Sequence, residues 1–326
     1  MFIVSTSPHI KSDVSTSKIM FGVVIALIPA IIAALAFFGM GAVKVIVVSV
    51  LSCVIFEYLI QKMLFKQENI SIKDGSAIIS GLLLAFNLPA IVPLWTVVVG
   101  ALVTIGVAKM SFGGLGKNPF NPAIVGRLFL MISFPSYMST WGVPRLLDFS
   151  NTDAQTGATT LGVIKEAVAN GQSLTDVNLP SYWDLFVGQI GGSLGEVSAL
   201  ALLLGGIYML IRKIISWHIP VAYLGTVAFI SLLLWYYDPT KFADPIVHLI
   251  SGGVMLGAIF MATDYATSPM YSKGKIVFGI GCGLLTISIR NFGAYPEGVA
   301  FSILIMNSFV PLINNYFKPR VFGTKG

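Results

Sequence analysis

The sequence predicts an all-α integral membrane protein: about ten transmembrane helices in two inverted five-helix repeats, with an extracytoplasmic loop subdomain. Three observations lead there. Hydrophobic residues make up 56% of the chain and charged residues only 10%, against about 25% charged in a soluble domain. The apolar residues come in blocks close to the ~20 that cross a bilayer. Lysine and arginine are shared unevenly between alternate connections, as the positive-inside bias requires.

Taken in order, the chain opens with a polar stretch, Met1–Ser17, that holds no apolar core. The block Phe21–Phe38 is long for a signal peptide and many similar blocks follow, so it reads as a retained helix. Spans are predicted at 20–39, 43–61, 76–91, 93–108, 122–135, 197–212, 219–236, 246–262, 276–289 and 298–316. Gly81, Asn87 and Pro89 interrupt the third, and Arg127 lies inside the fifth. With the N-terminus cytoplasmic, fourteen lysines and arginines fall inside. Five fall outside (Lys44, Arg145, Lys165, Lys241 and Arg290), and Arg127 stays within a span. Both termini are then cytoplasmic, and the loop 135–196 is extracytoplasmic. That loop holds Asp148, Asp153, Glu166, Asp176, Asp184 and Glu196. It is far longer than an ordinary connection of about 4–6 residues, so a folded subdomain is expected. The units are residues 1–135, 136–196 and 197–326. The net charge of +6 reports orientation; no basic run interleaved with aromatics points to nucleic acid.

A weak internal repeat supports the two halves. Ala101–Ile105 precedes Lys109 and Phe112-Gly113-Gly114; Leu284–Ile287 precedes Arg290 and Phe292-Gly293-Ala294. Gly81–Asn87 parallels Gly257–Thr263. Five spans per half reverse the second repeat, and such folds place sites near the midplane between broken helices. The two cysteines, Cys53 and Cys282, sit in apolar blocks. They cannot supply the roughly four ligands of an iron–sulfur or structural zinc site, so no metal centre is expected.

The chemistry points to the polar loop. Thr156-Gly157-Ala158-Thr159-Thr160 precedes a short helical pattern that stops at Gly171. A phosphate on Thr159 would sit at a helix N-terminus, where free N–H groups and the dipole favour it. Gly157 and Ala158 leave room for a bulky group. A threonine there is equally an ordinary N-cap, and four small residues do not decide between the two.

Longer motifs carry a resemblance. They are Ser7-Pro8-His9, Gly81–Pro89, Phe112–Ala123, Gly192–Ser198, Met261–Asp264 with Ser268-Pro269, Glu297-Gly298 and Met306-Asn307. Over nearly its whole length the chain resembles the D subunit of the Rnf-type ion-translocating electron transport complex. It is also similar to the homologous B subunit of the sodium-pumping NADH:quinone oxidoreductase, which has a longer N-terminal extension. The resemblance implies FMN held as a phosphodiester on the last Thr of the [ST]-G-A-T motif, here Thr159, attached by a flavin transferase. Members often have Pro after the acceptor; Thr160 stands there in this chain, as the rival acceptor. The implied partners are the other components of the complex, including a second FMN-bearing one, with ferredoxin and NAD reached through them. The implied role is electron relay coupled to Na⁺ or H⁺ movement. No catalytic side chain is expected here, and no activity in isolation, because the flavin does the redox chemistry.

Other residues have two readings each. Gly113, Gly114 and Gly116 with Asn118 and Asn121 form a tight turn, either a rigid connector or, by resemblance, a second site for riboflavin or quinone. Gly191–Glu196 either approaches the FMN through its backbone or caps a helix. Arg290 and Asn291 either face the anionic flavin or snorkel at the interface. Asn87, Thr104, Asn307 and Asp264 line an ion path or make interhelical hydrogen bonds. Two rival functions remain: the quinone-reductase component, and a non-redox channel or transporter, which would carry no covalent flavin.

Overall fold

The computed structural model describes residues 15–66, 71–144, 146, 156–196 and 198–319. Ser7-Pro8-His9, Arg145, Asp148 and Asp153 lie outside these residues.

Helix α1 covers Thr16–Leu59, with Ser15 accepting from the Lys18 amide at its start. Its 44 residues extend about 66 Å at ~1.5 Å per residue, twice a ~30 Å hydrocarbon core. The helix breaks at Gly39, φ 52° and ψ −130°, a conformation that glycine alone adopts cheaply. That is where the sequence divides its first two spans. A π turn, Ile60–Leu64, ends it.

Helix α2 (Ser76–Phe86) is shorter than the predicted third span. It stops at Asn87, whose amide donates to the Leu83 carbonyl at 2.6 Å, and Pro89 follows. Helix α3 (Leu94–Leu102) runs on through a π turn, Val103–Val107, and a 3₁₀ turn, Met110–Phe112. Helix α4 (Pro122–Ser133) starts at Asn121, which accepts from the Ala123 amide. A short helix α5 (Pro135–Met138) leads to strand β1 (Trp141–Gly142), paired antiparallel with β2 (Thr156–Gly157). Helices α6 (Thr160–Ala169) and α7 (Tyr182–Val187) follow.

The second half holds α8 (Ala199–Ile211) and α9 (His218–Tyr237). The predicted eighth span is broken rather than continuous. Helices α10 (Pro245–Ile250) and α11 (Val254–Leu256) are separated at Gly252 and Gly253, φ 72° and 68°. A π turn, Gly257–Met261, completes this span. Helices α12 (Ser272–Phe292) and α13 (Val299–Tyr316) close the fold.

Five helical stretches are long and apolar enough to cross a membrane: Thr16–Leu64, Leu94–Phe112, His218–Tyr237, Ser272–Phe292 and Val299–Tyr316. The apolar helices α2, α4 and α8 are shorter. One large apolar core joins α1–α4 to α8–α13. A second small core combines Leu161, Ile164, Leu174, Leu185 and Ile190 with Ala243 and Val247. The polar loop therefore folds against the α9–α10 connection. The Leu174 amide reaches the Thr240 carbonyl at 2.9 Å, and the Tyr182 hydroxyl reaches Asp244 at 2.7 Å. We call this end the loop face.

Candidate functional site

Thr159 caps α6. Its backbone is extended, and its hydroxyl accepts from the Gly162 amide at 3.1 Å. The cap, the helix start at Thr160 and the stop before Gly171 are where the sequence placed them. Thr159 is 7% exposed. Thr160 is also buried, and its hydroxyl has no partner among the described residues. Ala158 and Thr160 border a cavity of about 450 Å³ that Val143, Val163 and Gly191 also line. Ligand pockets are ~300–1,000 Å³, so a tricyclic ring has room beside this helix terminus. Gly157 is tighter than expected, because a Cβ there would lie 3.1 Å from a methyl of Val143.

The Gly191–Glu196 stretch does more than adjoin the loop. Its Leu194 and Gly195 amides donate to the Leu88 and Phe86 carbonyls, at 3.1 and 2.9 Å. These are carbonyls that the broken end of α2 leaves unpaired. Helix α8 is capped instead by Ser198, which accepts from the Ala201 amide.

At the core, the broken elements meet. Asn121 donates to the Met261 carbonyl at 3.1 Å, and Asn87 approaches the Met261 sulfur at 3.7 Å. The Asn307 amide, oriented to satisfy both neighbours, donates to the Thr267 carbonyl and accepts from the Asn121 amide. Thr267 in turn donates to Asp264 at 3.1 Å. Asn87, Asn307 and Asp264 are thus brought together with Asn121. Thr104 is not among them; it faces Gly126, and its hydroxyl is unpartnered among the described residues.

Gly113, Gly114 and Gly116 all take positive φ, as a tight turn demands. Asn118 and Asn121 line a cavity with Lys109, Ser76, Asp264 and Tyr265, but its volume is about 70 Å³. That is room for a few waters.

Two buried cations were not legible as anchors. Lys109 pairs with Glu57 at 2.6 Å and donates to Ser76 at 2.7 Å. The signal was two opposite charges at the edges of apolar blocks. Arg290 does not snorkel: it is 5% exposed. It donates to the carbonyls of Glu297 (2.9 Å), His248 (2.7 Å), Ser251 (3.0 Å) and Gly252 (2.8 Å). Asn291 turns back to the Ile287 carbonyl of its own helix. Arg127, from the first half, forms an ion pair with Glu297. Glu196, in the connection before α8, accepts from Ser193 at 2.7 Å. Burial, and then the neighbouring Glu297 carboxylate, raise its pKa. Lys165 on α6 donates to the carbonyls of Gly293 and Tyr295, at 2.6 and 3.0 Å, and burial lowers its pKa. Loop helix, both halves and the broken spans are thereby tied together through charged side chains.

Comparison with known proteins places the chain in a family. The chain is 47% identical over 322 residues to the D subunit of the Na⁺-translocating ferredoxin:NAD⁺ oxidoreductase complex of Acetobacterium woodii, covering 98% of this chain and 95% of that one. It is 43% identical to the D subunit of the proton-translocating ferredoxin:NAD⁺ oxidoreductase complex of Clostridium ljungdahlii, with 100% and 97% covered. The D subunit of the ion-translocating oxidoreductase complex of Escherichia coli matches at 37%, with 99% of each chain covered. Residues 3–323 match the NQR2, RnfD, RnfE family, and the chain belongs to that family.

Proposed function

We propose that this chain is the membrane subunit of an Rnf-type ion-translocating oxidoreductase complex and bears FMN as a phosphodiester on Thr159. The observation that carries the reading is the position of Thr159. It caps α6 at a terminus rich in free N–H groups, beside a cavity of about 450 Å³. Once the Thr159 oxygen is esterified, the Gly162 amide would bond a phosphate oxygen instead. FMN, when bound, supplies one-electron redox chemistry between the ferredoxin and NAD modules of the complex. The protein's own residues position the phosphate, wall the ring and keep water from it. Because Thr159 is buried, a flavin transferase would act while residues 156–160 are open. A second FMN-bearing component of the complex is the expected electron partner. A second, non-covalent flavin at Gly113–Asn121 would need that turn to open, so the reading rests on Thr159 alone.

The same reading keeps the loop face extracytoplasmic and both termini cytoplasmic, with about ten spans in two inverted repeats. Matching details support it. Gly75 and Gly253 each precede the third helix of a half with positive φ, 83° and 68°. Lys109 and Arg290, counterparts in the repeat, each reach back to that same start, at Ser76 and at Ser251 and Gly252. From Thr104 to Lys109 is one residue more than from Thr286 to Arg290. The π turn Val103–Val107 accommodates such an extra residue. The relatives' names favour ferredoxin and NAD over quinone, and they include both Na⁺ and proton translocation, so the proposal covers either ion. Asn87, Asn121, Asn307 and Asp264 are its candidate path.

The test is ultraviolet fluorescence of the denatured band after co-expression with the flavin transferase. Wild type should glow and Thr159→Ala should be dark. A dark wild type would overturn covalent FMN. A glowing Thr159→Ala with a dark Thr160→Ala would move the attachment by one residue.

A further inference from the structure

On the far side of α6 from the large cavity lies another, of about 220 Å³. Lys165, Lys241, Arg290 and His248 line it, with Phe242 and Phe292 among its apolar walls. We infer that it binds a phosphate-bearing anion, specifically the headgroup of an anionic phospholipid. This inference does not depend on flavin attachment.

The charge balance points there. Arg290 and Lys165 spend their hydrogen bonds on backbone carbonyls, which satisfy donors but do not cancel charge. Among the described residues neither has a carboxylate at ion-pair distance. Glu196 and Glu297 are close enough for Arg290 to feel their charge. The Glu297 carboxylate is paired with Arg127, the Glu196 carboxylate accepts from Ser193, and neither lines the cavity. Lys241 has Asp238 at 3.4 Å, with the lysine side chain 71% exposed. No carboxylate is among the described residues that line the cavity, so a bound anion would meet three cations there, of which the buried Arg290 is screened least.

A second observation is independent of charge. The Nδ1 of His248 is buried and has no hydrogen-bond partner among the described residues, and His248 lines this cavity. An unpaired buried ring nitrogen is costly unless something fills the role. Once the ring turns toward the cavity, a phosphate oxygen would accept from it.

The walls choose the lipid. Phe242 and Phe292 pack edge-on at 6.4 Å, and Phe292 is 73% exposed at the last turn of α12. An aromatic rim at the end of a membrane helix belongs at the headgroup level. Cations below an apolar rim suit an amphiphile with an acidic head.

The test uses the purified complex in neutral detergent. Melting temperature and native mass spectra are recorded with phosphatidylglycerol, phosphatidylcholine or glycerol phosphate. Phosphatidylglycerol should raise the melting temperature and stay bound, and phosphatidylcholine should not. Lys165→Gln with Lys241→Gln should weaken binding about 30-fold, at the usual contribution of each basic residue near a headgroup. Equal response to phosphatidylcholine, or no loss in the double variant, would overturn the site. Glycerol phosphate acting alone would keep the anion site but remove the lipid. Binding seen only in flavin-free Thr159→Ala would give the cavity to the flavin instead.

Discussion

Lys109 and Arg290 are buried to the same degree, 1% and 5% exposed, at opposite ends of the bundle. Lys109 reaches Ser76 at the start of α2, and Arg290 reaches Ser251 and Gly252 just before α11. They are balanced differently. Lys109 meets a carboxylate, Glu57, with both side chains buried. Arg290 meets four backbone carbonyls. A lysine is a compact point charge that pairs with one acid; a guanidinium is a planar fork that can satisfy several carbonyls at once. The far end of the bundle therefore holds a neutral ion pair, while Arg290 at the loop face has no carboxylate at bonding distance.

Breaking the neutral end should cost most. Lys109→Gln leaves Glu57 buried and unpaired, and about 3–5 kcal/mol of stability should be lost. Adding Glu57→Gln should restore most of it. Unfolding of the four members of this double-mutant cycle in detergent checks both; purely additive losses would mean the pair is not coupled. Arg290→Lys keeps the charge but cannot reach all four carbonyls. Each orphaned carbonyl costs about 1–3 kcal/mol, so a loss of that size is expected, without rescue by any single second substitution. A melting curve unchanged by Arg290→Lys would show that the fork geometry is unimportant. The smallest effect sharpens the symmetry. Gly75→Ala and Gly253→Ala each force alanine into positive φ, with no backbone clash waiting for the new Cβ. Each should cost about 1–2 kcal/mol, and by similar amounts. A several-fold difference between them would argue against the two starts being equivalent.

Membership in the membrane class was legible because bilayer crossing is a demand on local composition. A block of ~20 apolar residues suffices to declare it, and every predicted span meets a helix. The α6 boundaries were legible for the same reason: a Thr cap and a Gly stop act within a few residues. The broken eighth span was not legible. Nothing local to Ser251–Gly253 announces it except two glycines, and the break depends on Arg290 arriving from α12 to bond the freed carbonyls. The docking of Gly195 on Phe86 was equally hidden, since it joins residues more than a hundred positions apart.

The sequence by itself determined that this chain belongs to the membrane class, where most of its helices fall, which loop is polar, and that Thr159 heads a short helix. Those properties follow from hydrophobic periodicity, charge asymmetry and capping, all of which act over a few turns. Tertiary structure alone decided which polar groups meet. It gathered Asn87, Asn121, Asn307 and Asp264, left Thr104 apart, and gave Lys109 a counter-ion while Arg290 received none at bonding distance. A buried charge must be compensated by whatever the fold brings within a few ångströms, and distance along the chain does not reveal that distance in space.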